Sequence, residues 1–536
     1  MNKKIINKSV IILLIVIAVY SMLCLSMEQS GRLTGDAMLY VSIAHKYLAG
    51  DFQNAINGYW GPLLAWLFAP LLYAGISDIL AIKLLNLLFG VLTFIGIWYL
   101  SFRFEMRGVI RNTVLIASLP IVLKFSLVQP MDFLLVSILI VYMGIIFKTN
   151  YYKRVTSGLS CGFLGSLAYL TKAYAYPFFI VHFFVINVLH YLANSSKEIR
   201  KKVLKNTIAG SVLFFLISGI WIMTISNKYG YFTFSTMRST NFNAPGPDVK
   251  GEGLEFGVPV FTEGFYEPPN ETAFVIWEDP SYLRGNPWSA WQSKAHFIHF
   301  IKLTLKNIAE GLKIFESFSS FSLIIIVAYI LFLITRSPKE LLSKMDILNP
   351  LFTLVLFSGG YVLLHFEPRY VWLSNVLLLL MGGHLLSMLF QQSFFKSNAR
   401  KNILLVFFLI SFIFAPSRFV IQTGNYTMDQ EMYDLSIELK QYNVKGNFAS
   451  NRHAEGHEPW HKTFRLAYWL NSNYYGQRGE NFSDSKLSKE LKKYNIDYYF
   501  IWGKMNKVPD FLMGQKEVLG GNVPSLKIYS IGDFLL

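Results

Sequence analysis

Residues 79–111 read ILAIKLLNLLFGVLTFIGIWYL and then SFRFEMRGVIR. The first part is long and apolar enough to cross a bilayer core, which takes about 20 such residues. The second part carries Arg103, Arg107 and Arg111. Short loops rich in Lys and Arg stay in the cytoplasm, so this stretch is a membrane span that ends on the inner side. The same grammar repeats along the chain. Basic clusters stand at Lys3/Lys4/Lys8, Lys148/Lys153/Arg154, Lys197/Arg200/Lys201/Lys202/Lys205, Arg336/Lys339/Lys344 and Lys396/Arg400/Lys401. Between them lie apolar spans at 10–27, 79–100, 112–128, 133–147, 156–171, 173–192, 206–226, 318–335, 347–364, 370–390 and 402–421. The reading is a polytopic α-helical membrane protein of about 11 transmembrane helices, with the N-terminus inside and the C-terminus outside. The first span has no small-residue cleavage site after it and is not read as a cleaved signal peptide.

Residues 62–76 (PLLAWLFAPLLYAGI) are apolar but short. If they crossed, the Arg103/Arg107/Arg111 loop would face outward, so they are placed in the outer interface.

Composition agrees. The 536 residues are 53% hydrophobic, 16% aromatic and 15% charged, with mean hydropathy +0.38. A soluble chain carries about 25% charged residues. The net charge of +16 sits in the clusters between spans, which argues against nucleic acid as the partner. Cys24 and Cys161 both lie in apolar runs, which excludes a disulfide framework or a multi-cysteine metal site.

The expected outer face collects everything unusual: a first loop at 28–61, the tip Gln129-Pro130-Met131-Asp132, the tip Thr171-Lys172, a long loop at 227–317, the tip His365-Phe366-Glu367-Pro368-Arg369, and a domain at 422–536. Loops this long are usually functional or disordered. Residues 36–49 have helical spacing and 298–316 form an amphipathic helix with Lys302, Lys306 and Lys313, suited to an interface. Residues 227–297 read as an ordered but irregular loop. The division is thus 1–421, a transmembrane module, and 422–536, a small extracytoplasmic α/β domain. In the latter, helical patterns run over 428–441 and 484–494, and strand-like runs over 446–450, 496–502 and 526–530.

Ionisable groups at membrane depth are functional candidates because they are expensive there. The acids are Asp36 and Asp132; the plainer reading of each is a helix cap. The bases are Lys83, Lys124, Lys172 and Arg369. Lys83 and Lys124 can snorkel from their helices. Lys172 and Arg369 stand at short outer turns, against the positive-inside bias. Cations at such a face suit an anionic headgroup, whose charge they hold as a leaving group departs. A carboxylate suits the proton of a hydroxyl acceptor.

Several of these residues sit in familiar surroundings. Gly35-Asp36-Ala37-Met38-Leu39-Tyr40-Val41-Ser42-Ile43-Ala44, continuing to Leu48-Ala49-Gly50-Asp51, resembles the opening of the GT-C membrane glycosyltransferases, which include the protein O-mannosyltransferases and the 4-amino-arabinose lipid A transferases. Gly58-Tyr59-Trp60-Gly61-Pro62-Leu63-Leu64 is similar to the segment that follows in that family. Met131-Asp132-Phe133-Leu134-Leu135 resembles its second acidic turn, Leu170-Thr171-Lys172 its Leu-Thr-Lys turn, and Glu367-Pro368-Arg369-Tyr370 its Arg-Tyr motif. The five motifs fall in the family's order over the first ~370 residues.

The resemblance implies an inverting transfer of a sugar from a polyprenyl-phosphate donor to a protein, lipid or glycan acceptor on the extracytoplasmic face. By it, Asp36 is the general base and Asp132 supports the site. Lys172 and Arg369 hold the donor phosphate, with His365, Lys124 and Lys83 as further candidates. Tyr40, Trp60, Glu367 and Tyr370 are candidates for the sugar or acceptor. Two departures stand out. Ala37 replaces the second acid that many members carry after the first-loop Asp, and Trp60-Gly61 replace a Lys. The first weakens a divalent-metal requirement, and no other cofactor is implied. Trp60 also reads as an interfacial anchor.

His453, His457 and His461 are spaced by four, but Gly456 and Pro459 interrupt any shared helix, so zinc is set aside. The sequons at Asn270, Asn425 and Asn481 matter only in a eukaryotic secretory setting; Asn- and Lys-rich usage points to a bacterial inner membrane and to glycosylation in the cell envelope. Rival readings are a transporter or flippase of lipid-linked saccharides and a non-catalytic saccharide-binding assembly subunit. A transporter needs polar residues through the depth of several helices and often paired halves; the apolar inner halves and lack of repeats favour the enzyme.

Overall fold

A computed structural model describes residues 3–27, 32–237, 241–242, 246–247, 264–282, 288–423, 428–452, 459–479, 481–503, 507–523 and 525–531. The chain is a polytopic α-helical protein with a small C-terminal sheet. It forms two compact units. One comprises 1–31, 61–235 and 289–425; the other comprises 32–60, 236–288 and 426–536. Residues 32–60 of the first long loop and 236–288 of the second thus group with the C-terminal residues.

In the first unit a helix stands at each predicted span. Among the described residues, eight are long and apolar enough to cross a bilayer, or nine if one bent pair is a single span. The expected count of 11 is not confirmed, and the difference lies in three helices. Pro130–Ile146 and Val155–Thr171 have 17 residues each, about 26 Å, at the lower end of the length that crosses a core. The span expected at 318–335 shrinks to Ser322–Ile334, because the chain bends by 113° between Lys294–Phe318 and that helix. The stretch 62–76 forms the 12-residue helix Pro62–Tyr73, opened by Pro62.

Pro130–Ile146 and Trp372–Leu389 are apolar on every side and are buried accordingly. Peripheral helices keep large apolar residues exposed, such as Leu216, Ile220 and Met223 on Lys197–Tyr229, as a lipid-facing surface requires. Val155–Thr171 crosses Lys197–Tyr229 on small residues: a Cβ on Gly162 would stand 2.0 Å from the Gly210 carbonyl oxygen, and one on Gly158 2.3 Å from that of Asn206. Such close approach is how membrane helices gain packing. Asn206 fixes the crossing, accepting from the Gly158 N–H at 2.7 Å and donating to the Tyr152 carbonyl. Arg111 ties off the end of Asp78–Ser101 by donating to Ser101 Oγ and the Met106 carbonyl.

The second unit is built on a sheet in the order β2-β1-β3-β4. The strands are β1 Asn447–Ser450, β2 Asn473–Gln477, β3 Tyr498–Trp502 and β4 Leu526–Ser530. The first three are parallel and β4 is antiparallel to β3. Parallel neighbours need crossovers, and helices Pro459–Trp469 and Asp484–Lys493 supply them. β2 and Pro459–Trp469 lie outside the predicted elements. Pro459 opens its helix, where its missing N–H costs nothing. His461 lies on that helix, while His453 and His457 lie outside the described residues. Beside β2 runs part of the second long loop: the Tyr266 N–H donates to the Tyr475 carbonyl and the Tyr474 N–H to the Phe274 carbonyl. The first loop contributes the helix Gly35–Leu48.

Candidate active site

The first unit brings six of the candidate residues into one cluster at helix ends. Pro130–Ile146 starts after Gln129, which makes no side-chain cap. Asp132 does not cap this helix either. It sits in the first turn, where unpaired N–H groups and the helix dipole favour a carboxylate. Its Oδ1 accepts from Lys172 Nζ at 2.6 Å. The two side chains are only 3% and 4% exposed, so the pair is an ion pair almost without water. Asp132 Oδ2 has no hydrogen-bond donor among the described residues and lies 3.8 Å from Arg369 Nε.

Lys172 follows the last turn of Val155–Thr171 in extended conformation, its N–H held by the Ala168 carbonyl. The turn is braced from outside by Gly61: a Cβ there would come within 2.4 Å of the Leu170 and Thr171 carbonyl oxygens. Lys172 Nζ also lies 3.9 Å from the centre of the Tyr370 ring, a cation–π geometry. Tyr370 stacks on Tyr361, and Tyr361 on Tyr174 at 3.8 Å. Tyr174 in turn donates to the Phe357 carbonyl. Three aromatic rings thus back the lysine.

The short helical turn Pro368–Val371 carries Arg369 and Tyr370. Glu367 gathers them. Its carboxylate accepts from Arg369 Nε at 2.7 Å and from the Tyr370 hydroxyl at 3.1 Å, with His365 Nε2 at 3.4 Å. Burial pushes the Glu367 carboxyl up, but the hydrogen bond with His365 and the Arg369 guanidinium outweigh it and hold the group at about 2. Asp132 and Glu367 balance the formal charges of Lys172 and Arg369, and His365 adds a proton-dependent positive charge. Arg369, 20% exposed, is the more open of the two cations. Such a cluster can hold a phosphate ester through Arg369 and His365, with Lys172 as a fixed charge behind them.

Two further candidates of the first unit stand outside this cluster. Lys124 places its Nζ 4.7 Å from the Phe419 ring centre. Lys83 makes no hydrogen bond or ion pair to the cluster among the described residues. Asp36, Tyr40 and Trp60 belong to the second unit. Asp36 is half-buried in the first turn of Gly35–Leu48. Tyr40, buried one turn on, packs edge-on against Trp60 at 5.4 Å. Trp60 is buried too, and its indole N–H donates to the Trp277 carbonyl at 3.0 Å; its ring serves packing within the unit.

That unit also holds an acid and a base that sequence reading did not single out. Glu278 is 1% exposed and accepts from Lys46 Nζ at 2.5 Å, Ser42 Oγ at 2.9 Å and the Phe274 N–H at 2.9 Å. Its carbonyl accepts from Asn57. Lys46 and Glu278 are far apart in sequence, so no spacing announces them. Tyr174 and Tyr361 had a fainter signal: each is a polar aromatic beside a predicted tip or helix end. Among the described residues, no group of three or more His, Cys, Asp or Glu side chains is arranged to hold a metal ion.

No protein-family model matches the sequence, and no curated protein matches it. The structure resembles that of ArnT from Cupriavidus metallidurans bound to undecaprenyl phosphate, with a TM-score of 0.54 and 12% identity over 97% of this chain and 98% of that one. A second neighbour is the archaeal oligosaccharyltransferase AglB from Archaeoglobus fulgidus in complex with an inhibitory peptide and a dolichol-phosphate, with a TM-score of 0.49 and 10% identity over 92% of this chain and 69% of that one. The first likeness, nearly end to end, shows that the chain has the GT-C fold.

Proposed function

We propose that the protein is an inverting glycosyltransferase of the bacterial cell envelope, moving a sugar from a polyprenyl-phosphate donor to an acceptor on the extracytoplasmic face of the membrane. One observation carries this reading: the Asp132–Lys172 pair, Arg369, Glu367 and His365 form a single cluster at the ends of apolar helices. The similar structure holds undecaprenyl phosphate, a lipid of the donor class proposed here.

In this reading the acceptor hydroxyl attacks the anomeric carbon and gives its proton to Asp36. The bond from that carbon to the phosphate oxygen breaks, and the lipid phosphate leaves with the electron pair. Arg369 and His365 meet its charge, and Lys172 adds a field that Asp132 keeps in place. A base in that position contributes about 10²–10⁴-fold.

The test is transfer of radiolabel from a polyprenyl-phosphate sugar to product by the purified full chain in lipid. Labelled product that falls at least about 10²-fold in Asp36→Asn supports the assignment. Full turnover in that variant removes Asp36 as the base. A chain that moves lipid-linked saccharide across vesicles without forming any covalent product is a transporter.

A further inference from the structure

The helix Lys294–Phe318 has three distinct faces. Leu303, Asn307, Gly311, Phe315 and Phe318 are buried against the protein. Ile301, Leu305, Ile308 and Leu312 are exposed and form an apolar stripe about a third of a turn away. Lys302, Lys306 and Lys313 form a row on the remaining side. Glu310 lies on the edge of that row and pairs with Lys313 at 3.1 Å. Glu316, His296 and His299 are the helix's other titratable groups apart from Lys294.

This pattern decides how the helix meets a bilayer. Lys302 to Lys313 covers about 16 Å of axis. In a helix that crossed the membrane, that row would carry charge through much of the hydrocarbon depth, where charge is expensive. In a helix lying flat, all three lysines share one depth, beside an apolar stripe that also has one depth. The 113° bend into the apolar helix Ser322–Ile334 fits the second arrangement: one helix lies along the surface and the next enters.

We propose that Lys294–Phe318 is a bilayer-surface anchor: its Ile301/Leu305/Ile308/Leu312 stripe enters the acyl boundary, and its Lys302/Lys306/Lys313 row binds the headgroups of anionic lipids. The buried face ties this anchor to the candidate site. Asn307 Nδ2 donates to the Val362 carbonyl at 2.9 Å and faces that of Leu364 at 3.5 Å. Gly311 lies under Phe366; a Cβ there would meet its ring at 2.9 Å. Val362, Leu364 and Phe366 lead into Glu367 and Arg369, so the anchor sets the height of that turn at headgroup level. Lipid binding by the row does not depend on the transferase reading.

Cys24 and Cys161 are both buried, so single cysteines placed at positions 301, 305, 308 and 312 of the full chain can carry an environment-sensitive fluorophore. In vesicles with nitroxide-labelled lipids, all four positions are expected to be quenched alike and at shallow depth. A steady gradient of depth from 301 to 312, or no quenching at all, overturns the flat placement. For the lysine row, the full chain is equilibrated in mixed phosphatidylcholine and phosphatidylglycerol and the lipid that stays bound after purification is counted. Phosphatidylglycerol retained over phosphatidylcholine is expected to fall at least about fivefold when Lys302, Lys306 and Lys313 are all changed to Gln, and to persist when all three become Arg. Equal retention in the Gln and parent proteins overturns the headgroup assignment, as does loss in the Arg variant.

Discussion

At the scale of single residues, Asp132 and Lys172 of the first unit depend on one another. Each is nearly excluded from water, so removing one partner strands the other. Asp132→Asn is expected to cost about 3–5 kcal/mol, read as a lowered midpoint of thermal unfolding in detergent. Adding Lys172→Met to that variant is expected to recover part of the loss, since the stranded ammonium is gone; purely additive losses in the double-mutant cycle refute the coupling. Glu367 gives a pH signature. Its folded-state value of about 2 lies below the usual 4.5, so its stabilising effect is complete above the usual value and fades as pH falls toward 2. The stability gap between the parent and Glu367→Gln is expected to shrink as pH falls from about 4.5 toward 2. A gap that instead opens over that interval contradicts the depressed value. The chemistry of these residues was visible in sequence because Lys172 and Arg369 broke the positive-inside pattern. Their mutual partners were not, because a buried ion pair joins positions 40 apart.

At the scale of elements, helices dominated by hydrophobicity were readable and their junctions less so. Apolar run length placed a helix at every span. The junction near residue 320 was legible as a change from the amphipathic pattern of 298–316 to the apolar run of 318–335, whereas its angle of 113° was not, since no Pro or Gly stands at 319–321 to mark it. β2 was hidden for the opposite reason: Asn473-Tyr-Tyr-Gly-Gln is polar at both ends, and it is a strand because β1 and the segment near Phe274 supply backbone partners. The crossing of Val155–Thr171 with Lys197–Tyr229 makes the element-scale prediction. Gly162→Val places methyl groups where the Gly210 backbone already lies. Overpacking of this kind costs about 1–3 kcal/mol. Thermal unfolding is expected to shift downward accordingly, while Gly219→Val on the partner helix Lys197–Tyr229, where a Cβ meets nothing within 4 Å, is expected to shift it little. Equal effects at both positions dismiss the tight crossing.

At the scale of the whole molecule, the second unit assembles three stretches that the sequence separates: residues 32–60, the described parts of 236–288, and the C-terminal domain. Glu278 holds the first two together, through Lys46, Ser42 and Asn57, and β2 joins the second to the third. Glu278→Ala leaves the Lys46 ammonium buried without its carboxylate and is expected to cost about 3–5 kcal/mol. Limited proteolysis is the measurement: cleavage within 32–60 and 264–282 is expected to speed up together, and unchanged protection of either segment denies the link. By itself, the sequence determined that this is a multi-helix membrane protein with a small polar α/β domain at its end. It also determined which turns carry acids and bases, because water and lipid sort apolar from charged residues locally, and that sorting is written in run length and spacing. Only the tertiary structure decided that Asp132 meets Lys172 over a stack of tyrosines, that Lys124 and Lys83 stand apart from that cluster, and that residues 32–60 and the described parts of 236–288 group with the C-terminal sheet. Those outcomes depend on contacts between residues distant in the chain, whose partners are chosen by packing and desolvation and leave no periodic mark in the sequence.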